Sequence, residues 1–197
     1  MKRIVVATQN KGKVKEIKEM LEGLPVEVKT MGEVGIDVDV EETGSTFEEN
    51  AVLKAEAISK MVDALVIADD SGLEIDYLNK EPGVYSARYL GKDTPYEVKN
   101  QIILDRLKDV PKEKRTARFV CAMALCEANK ETFIARGVIE GYIGYQSEGE
   151  NGFGYDPIFF TDELGTSTAN ISMEEKNKIS HRAKALKQII EKIKERI

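Results

Sequence analysis

The chain of 197 residues has one histidine, two cysteines and no long uninterrupted apolar segment. One histidine argues against zinc catalysis and gives little support to a Ser/His/Asp triad. Cys121 and Cys126 lie five residues apart in one apolar segment, which predicts buried free thiols on opposite faces of a strand and a reducing, cytoplasmic setting. No apolar stretch reaches the roughly 18 residues of a membrane helix, and Thr8-Gln9-Asn10 interrupts the N-terminal one, so we expect a soluble, unexported protein.

A strongly basic surface is also missing, because the formal net charge is −6. This balance argues against a protein that coats nucleic acid, binds RNA generally or binds an anionic membrane. Any phosphate site must therefore be a local concentration of cations, helped by a metal ion. With 42% hydrophobic residues, the chain can form one large domain or two intimate lobes, and we find no linker between them.

Apolar residues recur with the periods of strands and helices along most of the chain. Strands are predicted at residues 3–7, 26–30, 64–68, 73–78, 115–127 and 131–143, and helices at 13–22, 45–62, 94–108 and from 179 onward. Ser45 with Glu48 is interpreted as a capping box, and Thr94 as an N-cap that precedes Pro95. Strands that alternate with helices and end in a hairpin of long strands predict an α/β fold, a mixed sheet flanked by helices.

Three cations fall on the apolar faces of predicted helices: Lys13, Lys54 and Arg182. Burying a lone cation is costly unless an anion meets it, so the three together predict a shared anionic ligand such as a nucleotide polyphosphate. Asn50 lies one turn before Lys54 on the same face. A lysine that snorkels from the edge of the face is the alternative for Lys54.

The turn from Thr8 to Lys13 leads from the first strand into a helix, where free backbone N–H groups favour an anion. Its glycine spacing is not that of a Walker loop. A purely structural polar turn is the alternative interpretation, so this segment alone does not decide the function.

Acidic pairs occur at Glu41-Glu42 and at Asp69-Asp70, the second at the end of a predicted buried strand. Carboxylate oxygens at these places would suit Mg²⁺, which also binds substrate phosphates. Neighbouring strand residues point to opposite faces, so at most one of Asp69 and Asp70 should face such a site. A strand-end turn and a solvated acidic loop are the alternatives.

An aromatic residue between glycines, Phe153, could place its ring against a planar ligand such as a base, or anchor a glycine-rich turn. His181 lies off the apolar face of the C-terminal helix, where a histidine usually faces solvent.

Six segments of the chain together resemble the Ham1/inosine-triphosphate pyrophosphatase family over nearly its whole length. In order, they are Thr8-x-Asn10-x-x-Lys13; Glu42-Thr43-Gly44 with Glu49-Asn50-Ala51-x-x-Lys54-Ala55; Ala68-Asp69-Asp70-Ser71-Gly72-Leu73; Pro82-Gly83-x-Tyr85-Ser86-Ala87-Arg88-Tyr89; Gly152-Phe153-Gly154-Tyr155-Asp156-Pro157; and Ser180-His181-Arg182. The resemblance implies Mg²⁺-dependent hydrolysis of ITP, dITP and XTP to the monophosphate and pyrophosphate, which removes them from the nucleotide pool. It also implies a homodimer and a single domain over residues 1–197, with an elongated mixed sheet and two lobes that enclose the site in a cleft.

The resemblance gives the acidic residues separate roles: Asp70 matches a general base and metal ligand, and Glu42 the other metal ligand. We predict that a water attacks the α-phosphorus, that Asp70 deprotonates it, and that Lys13 and Lys54 stabilise the developing charge. Donors at the base edge would suit the O6 acceptor of hypoxanthine or xanthine and leave the N6 donor of adenine mispaired. The predicted contacts are Lys13, Lys54 and Lys176 to the triphosphate; Thr8, Asn10, Asn50 and Ser71 as hydrogen-bonding residues; Phe153 stacked on the base beside Gly154 and Tyr155; and Asp156, His181 and Arg182 at the base edge.

Two other functions are consistent with parts of this pattern. A Maf-type nucleotide pyrophosphatase of different base specificity would share the chemistry, but the segments around Phe153 and His181 fit it less well. A non-catalytic nucleotide-binding module would keep Lys13, Lys54 and Phe153 but would not need the acids Glu42 and Asp70.

Overall fold

The computed structural model describes all residues of the chain, 1–197. Its helices are α1 (Lys11–Leu21), α2 (Phe47–Ser59), α3 (Tyr96–Arg106), α4 (Met173–Ile179) and α5 (His181–Lys194). Its strands are β1 (Lys2–Val6), β2 (Val26–Thr30), β3 (Leu65–Ile75), β4 (Thr116–Cys126), β5 (Phe133–Ile143), β6 (Phe159–Thr161) and β7 (Thr166–Ser167). They form one sheet in the order β2-β1-β3-β4-β5-β6-β7. β1 is parallel to β2 and β3, whereas β6 is antiparallel to β5 and β7, so the predicted mixed α/β fold is confirmed.

β3 differs from its prediction, because the residues from Leu65 to Ile75 form one continuous strand. The prediction of two shorter strands separated by a turn at Asp69–Gly72 is therefore wrong. Acidic residues are poor strand formers in isolation, but Asp69 and Asp70 are buried and both have polar partners in the structure. The acidic pair lies in the middle of a strand and not at its carboxyl end.

The N-cap of α2 lies one residue later than predicted. Thr46 is the N-cap, and its side chain accepts a hydrogen bond from the N–H of Glu49 at 3.1 Å. Glu49 in turn accepts from the N–H of Ser45 at 2.6 Å. The predicted capping box of Ser45 with Glu48 is therefore wrong, because Thr46 is the cap and Glu49 bonds the N–H of the residue before it.

The predicted cap of α3 is also wrong. Thr94 donates its hydroxyl to the carbonyl of Leu90 at 2.6 Å, and α3 begins without a side-chain cap. Near the C-terminus, the sequence predicts one helix from residue 179, but the structure has two. The unpredicted α4 begins with a capping box of Ser172 and Glu175, and Ser180 separates it from α5.

The chain forms two compact units. β3, β4 and β5 each have residues in both of them. Unit 1 comprises residues 1–70, 121–137 and 181–197 and contains β1, β2, α1, α2 and α5. Its core includes Ile4 of β1, Ile17 of α1, Ile67 of β3 and Leu186 of α5. Cys121 and Cys126 are free and buried, as predicted.

Unit 2 comprises residues 71–120 and 138–180 and contains α3, α4, β6 and β7. Its own core includes Leu73 of β3, Ile103 of α3, Phe119 of β4 and Phe159 of β6. Each unit thus buries a separate apolar cluster against its part of the sheet. No helix of either unit has the length and hydropathy needed to span a membrane.

Candidate active site

The turn between β1 and α1 places Lys13 beside β3. Asn10 is the N-cap of α1, and its side chain accepts from the N–H of Lys13 at 3.1 Å, while Thr8 accepts from the N–H of Asn10 at 3.2 Å. β1 runs parallel to β3 with Val6 opposite Ile67, so the turn begins next to the acidic pair. The ammonium of Lys13 consequently lies 3.0 Å from a carboxylate oxygen of Asp69.

Asn50 of α2 connects the acidic segment 41–44 to β3. Its side chain accepts from the N–H of Gly44 at 2.8 Å and donates to Asp70 at 3.0 Å, and it is completely buried. A Cβ at Gly44 would fall 2.6 Å from the Asn50 oxygen, so only glycine permits this approach. The amide therefore fixes both the carboxylate of Asp70 and the segment that carries Glu42.

Lys54, one turn further along α2, lies 2.6 Å from a carboxylate oxygen of Glu42. Burial alone would lower the pKa of Lys54, but the carboxylates of Asp69, Glu42 and Asp70 outweigh it and raise that pKa. The ammonium stays charged at neutral pH. The interpretation of Lys54 as a snorkelling residue is excluded, because both it and Glu42 are largely buried.

The carboxyl of Asp70 is a weaker acid than an exposed aspartate. Burial raises its pKa from 3.8 to about 6, against the attraction of Lys54 and with the added repulsion of Glu42. A carboxylate with a pKa in this range can take a proton at neutral pH. The other carboxylates of unit 1 that lie near it, Asp69 and Glu42, each contact a lysine.

Glu42 and Asp70 supply a donor set that fits Mg²⁺. They are two hard carboxylates close enough for Glu42 to raise the pKa of Asp70, a repulsion that a divalent cation would relieve. No cluster of three or more His, Cys, Asp or Glu side chains in the chain has metal-binding geometry. Two carboxylates are nevertheless sufficient for Mg²⁺, which keeps several waters and binds through one or two carboxylates plus substrate phosphates.

Arg182, in the first turn of α5, forms a buried ion pair with Glu16 of α1. Its second nitrogen lies 3.6 Å from Asp69, which thereby faces both Lys13 and Arg182. Burial would lower the pKa of Arg182, but the carboxylates of Glu16 and Asp69 outweigh it and raise the pKa. Glu16 is not among the residues that the sequence predicts for the site. The available signal was its position three residues after Lys13, on the same side of α1.

All three cations that the sequence places on apolar helix faces thus meet carboxylates of the chain itself. Lys13 pairs with Asp69, Lys54 with Glu42, and Arg182 with Glu16. The expectation that their burial requires an external anion is therefore wrong, because carboxylates of the chain already compensate the three positive charges. A ligand at this place has to be argued from the chemistry of the site.

The first turn of α5 is positioned by Gly137 of β5. A Cβ at Gly137 would fall 2.0 Å from the main-chain oxygen of His181 and 2.7 Å from the main-chain nitrogen of Ala185. The bare glycine therefore lets α5 lie directly on the strand. His181 is buried, which excludes the solvent-facing alternative for this residue.

We expect Gly137→Ala to lower the free energy of unfolding by about 3 kcal/mol, because the added methyl must push α5 away from β5. The measurement is urea unfolding at neutral pH. Gly32→Ala is the matched control, since a Cβ there would meet only a side-chain oxygen of Thr30 at 4.0 Å. Equal stability changes in the two variants would contradict the assigned role of Gly137.

Unit 2 contains a second group of predicted residues, centred on the buried carboxylate of Asp156. It accepts from the N–H of Phe153 at 2.9 Å, from the ammonium of Lys176 at 2.6 Å and from the hydroxyl of Thr168 at 2.7 Å. The same ammonium lies 4.7 Å from the centre of the Phe153 ring. Lys176 therefore lies with the residues predicted to bind the base, in a different unit from Lys13 and Lys54.

Tyr155 points into the core of unit 2. Its side chain is buried, and its hydroxyl donates to the carbonyl of Ser86 at 2.6 Å. The Ser86 hydroxyl in turn accepts from the N–H of Leu73 at 2.9 Å and donates to the carbonyl of Gly83 at 2.6 Å. A contact of Tyr155 with a substrate can therefore involve only its main chain.

The predicted site residues thus form two groups, and their substrate contacts stay predictions. Unit 1 contains Thr8, Asn10, Lys13, Glu42, Asn50, Lys54, Asp70, His181 and Arg182; unit 2 contains Ser71, Phe153, Gly154, Tyr155, Asp156 and Lys176. A groove of about 1140 Å³ runs along α1 and β2, but of these residues only Thr8 lines it. It is therefore not where the predicted catalytic side chains lie.

The sheet and the cluster of acids and lysines define an α/β protein with a buried ionisable centre. Comparison with known proteins identifies its family. The model of the Ham1 family matches residues 4–192. The dITP/XTP pyrophosphatase of Bacillus subtilis is 51% identical over 189 residues, covering 96% of both chains. That of Caldanaerobacter subterraneus subsp. tengcongensis is 50% identical over 198 aligned positions, covering 100% of this chain and 98% of the other. The Ham1 protein of Staphylococcus aureus has a similar structure, with a TM-score of 0.88 and 42% identity over the whole of both chains. The chain belongs to the Ham1 family.

Proposed function

We propose that the protein hydrolyses the non-canonical purine nucleotides ITP, dITP and XTP to the monophosphate and pyrophosphate. The relatives named above support this class of substrate, since they are called dITP/XTP pyrophosphatases and match almost the entire chain. The observation that carries the chemistry is Asp70, a buried carboxyl with a pKa of about 6 near two lysine ammonium groups. Removing such nucleotides from the pool before they enter DNA or RNA is the proposed cellular role.

In this proposal, Asp70 orients a water towards the α-phosphorus and takes its proton. In the site without a metal ion, its raised pKa supports this role, because a base works best when its pKa lies near the working pH. Lys13 and Lys54 stabilise the negative charge that develops on the departing pyrophosphate. Both lysines already lie against carboxylates, so they are held in place before substrate arrives.

Magnesium is part of the proposal as the ion that Glu42 and Asp70 would hold. When bound, it would neutralise charge on the phosphates and lower the pKa of a water. Asn50 keeps the carboxylate of Asp70 in one orientation through its hydrogen bond, and it also fixes the segment next to Glu42.

Base recognition is proposed for Phe153 and Asp156 of unit 2 together with His181 and Arg182 of unit 1. The ring of Phe153 stacks on the base, and Asp156 holds the loop through the Phe153 N–H. The contacts of Lys176 favour a role near the base over the triphosphate contact that the sequence predicts. His181 and Arg182 are proposed donors to O6, which inosine and xanthosine carry and adenosine lacks. We also propose that the protein is a homodimer and acts in the cytoplasm.

The test is a substrate panel of ITP, dITP, XTP, ATP, GTP and dUTP with Mg²⁺, with identification of the products. We expect inosine and xanthosine nucleotides to be converted at least about 100-fold faster than ATP, with one pyrophosphate per monophosphate and none of this activity in EDTA. Release of orthophosphate would contradict the mechanism, and equal rates on ATP and ITP would contradict the substrate class. Tight binding of ITP without turnover would instead indicate a binding module.

A further inference from the structure

Helix α3 carries two buried polar side chains, and one of them, Asn100, contacts the loop that contains Phe153. Lys99 and Asn100 are 0% and 3% exposed, although lysine and asparagine usually lie at the surface. Neither belongs to the segments that carry the family resemblance. Packing alone gives no reason for burying them, so their contacts have to explain their presence.

Asn100 holds the main chain of the loop at Gly154. Its side-chain nitrogen donates to the Gly154 carbonyl at 3.1 Å, and its side-chain oxygen has no hydrogen-bond partner. A buried amide that is only half satisfied costs stability relative to an apolar residue of the same shape. What Asn100 provides is therefore the single bond to Gly154 and not a gain in core stability.

Gly154 has a left-handed backbone, with φ of +63°, which glycine adopts without strain, so the bond from Asn100 holds a freely chosen turn in one position. The ring of Tyr96 lies 3.7 Å from where a Cβ of Gly154 would be. The same ring packs edge-on against Tyr155, with centroids 5.1 Å apart. α3 thus contacts the two residues that follow Phe153, Gly154 by a hydrogen bond and Tyr155 by an aromatic contact.

Lys99 extends this support to a second segment. Its ammonium donates to the carbonyl of Ala87 at 2.8 Å and lies 4.7 Å from the centre of the Tyr96 ring. The hydroxyl of Tyr155 bonds the neighbouring carbonyl of Ser86. The segment 86–87, the loop 152–156 and α3 are therefore joined in one closed set of contacts within unit 2.

We propose that Asn100 is a positioning residue for selection of the nucleobase. It acts through the Gly154 carbonyl to fix the Phe153 ring and the Asp156 carboxylate, and it does not touch the substrate itself. This inference rests on the proposed function, since it assigns Asn100 to the base side of that site. Charge stabilisation on the triphosphate does not depend on it.

The test is Asn100→Leu, which removes the donor and keeps the approximate volume. We expect KM for ITP to rise about tenfold with kcat changed less than about twofold, and the preference for ITP over ATP to fall by a similar factor. The Kd of IMP should rise about tenfold, whereas inhibition by pyrophosphate should be unchanged. Hydrogen exchange at residues 152–156 should become faster, with little change in Tm.

Gln101→Leu is the matched control, because Gln101 lies next to Asn100 on the exposed side of α3. It should leave every one of these quantities unchanged. Asn100→Ala, which adds no bulk to the loop, carries the same expectations if the leucine variant does not fold. Suppose that the wild type prefers ITP to ATP, and that a folded Asn100 variant keeps this preference and the wild-type rate of hydrogen exchange at residues 152–156. That result would overturn this inference but not the proposed function. A wild type without nucleotide hydrolysis would overturn the proposed function and the inference with it.

Discussion

Asp70→Asn is expected to abolish turnover and, at the same time, to make the metal-free protein more stable at neutral pH. The loss of turnover should be at least about 10³-fold, since the variant lacks both the proposed base and one carboxylate for the metal ion. The gain in stability follows from burial, which raises the pKa of Asp70 from 3.8 to about 6 in the folded protein. A residue that harms the fold and serves the chemistry is what an active site is expected to contain.

The stability effect has a defined dependence on pH. A carboxyl whose pKa is higher in the folded state binds its proton more tightly there, so the free energy of unfolding falls as pH rises from about 4 to about 6. A shift of about two units corresponds to about 3 kcal/mol above that window. Asparagine carries no charge and does not suffer this loss. The two proteins should therefore differ little below pH 4, and the variant should be more stable by up to about 3 kcal/mol above pH 7.

The measurement is urea unfolding in EDTA from pH 4 to 8 for both proteins. Asp69→Asn is the matched control, because the neighbouring carboxylate lies 3.0 Å from Lys13 and 3.6 Å from Arg182 and is expected to stabilise the fold. Its replacement should cost about 3–5 kcal/mol at neutral pH, the opposite sign. A pH-independent loss of stability in Asp70→Asn would contradict the assigned environment of Asp70.

The elements that the sequence predicts well are those with a strong local signal. β1, β2, α1 and the hairpin of β4 and β5 have apolar periods that do not depend on distant residues. The caps of α2 are shifted because Ser45-Thr46 and Glu48-Glu49 are doublets, and either member of each pair satisfies the local rule.

The continuous β3 could not be predicted for a different reason. An acidic pair followed by Ser71-Gly72 is locally a turn signal, and it becomes strand only because Lys13 and Asn50 contact Asp69 and Asp70 from elsewhere in the chain. The prediction that at most one of the two carboxylates faces a metal site rests on strand geometry alone, and it stays a prediction.

Long-range partners also explain what the sequence missed in the candidate site. Lys54 with Asn50 was identifiable, because both lie on one face of a helix. Gly137 was not, because its importance comes from α5, which lies far along the chain and packs against β5. Glu16 had only its position three residues after Lys13 on α1 as a signal, since its partner Arg182 also lies in α5. Asn100 gives no local signal of any kind, since only the folded loop supplies its partner.

The second large effect is expected from the buried pair of Glu16 and Arg182. Glu16→Leu and Arg182→Met should each lower the free energy of unfolding by about 3–5 kcal/mol, because each leaves a buried charge without its main partner. The double variant should lose no more than either single one, which gives a coupling energy of at least about 3 kcal/mol. Asp69 keeps Lys13 as a partner when Arg182 is removed, so the cycle isolates the Glu16–Arg182 contact.

The double variant also separates folding from recognition, since two apolar residues of similar volume can replace a buried ion pair without loss of fold. If Arg182 donates to the base as proposed, this folded variant should convert ITP and ATP with similar kcat/KM, about 100-fold below the wild-type value for ITP. Urea unfolding of the four proteins and their kinetics on both nucleotides provide the measurement. Additive stability losses would contradict the pairing, and a folded double variant with undiminished preference for ITP would remove Arg182 from base recognition.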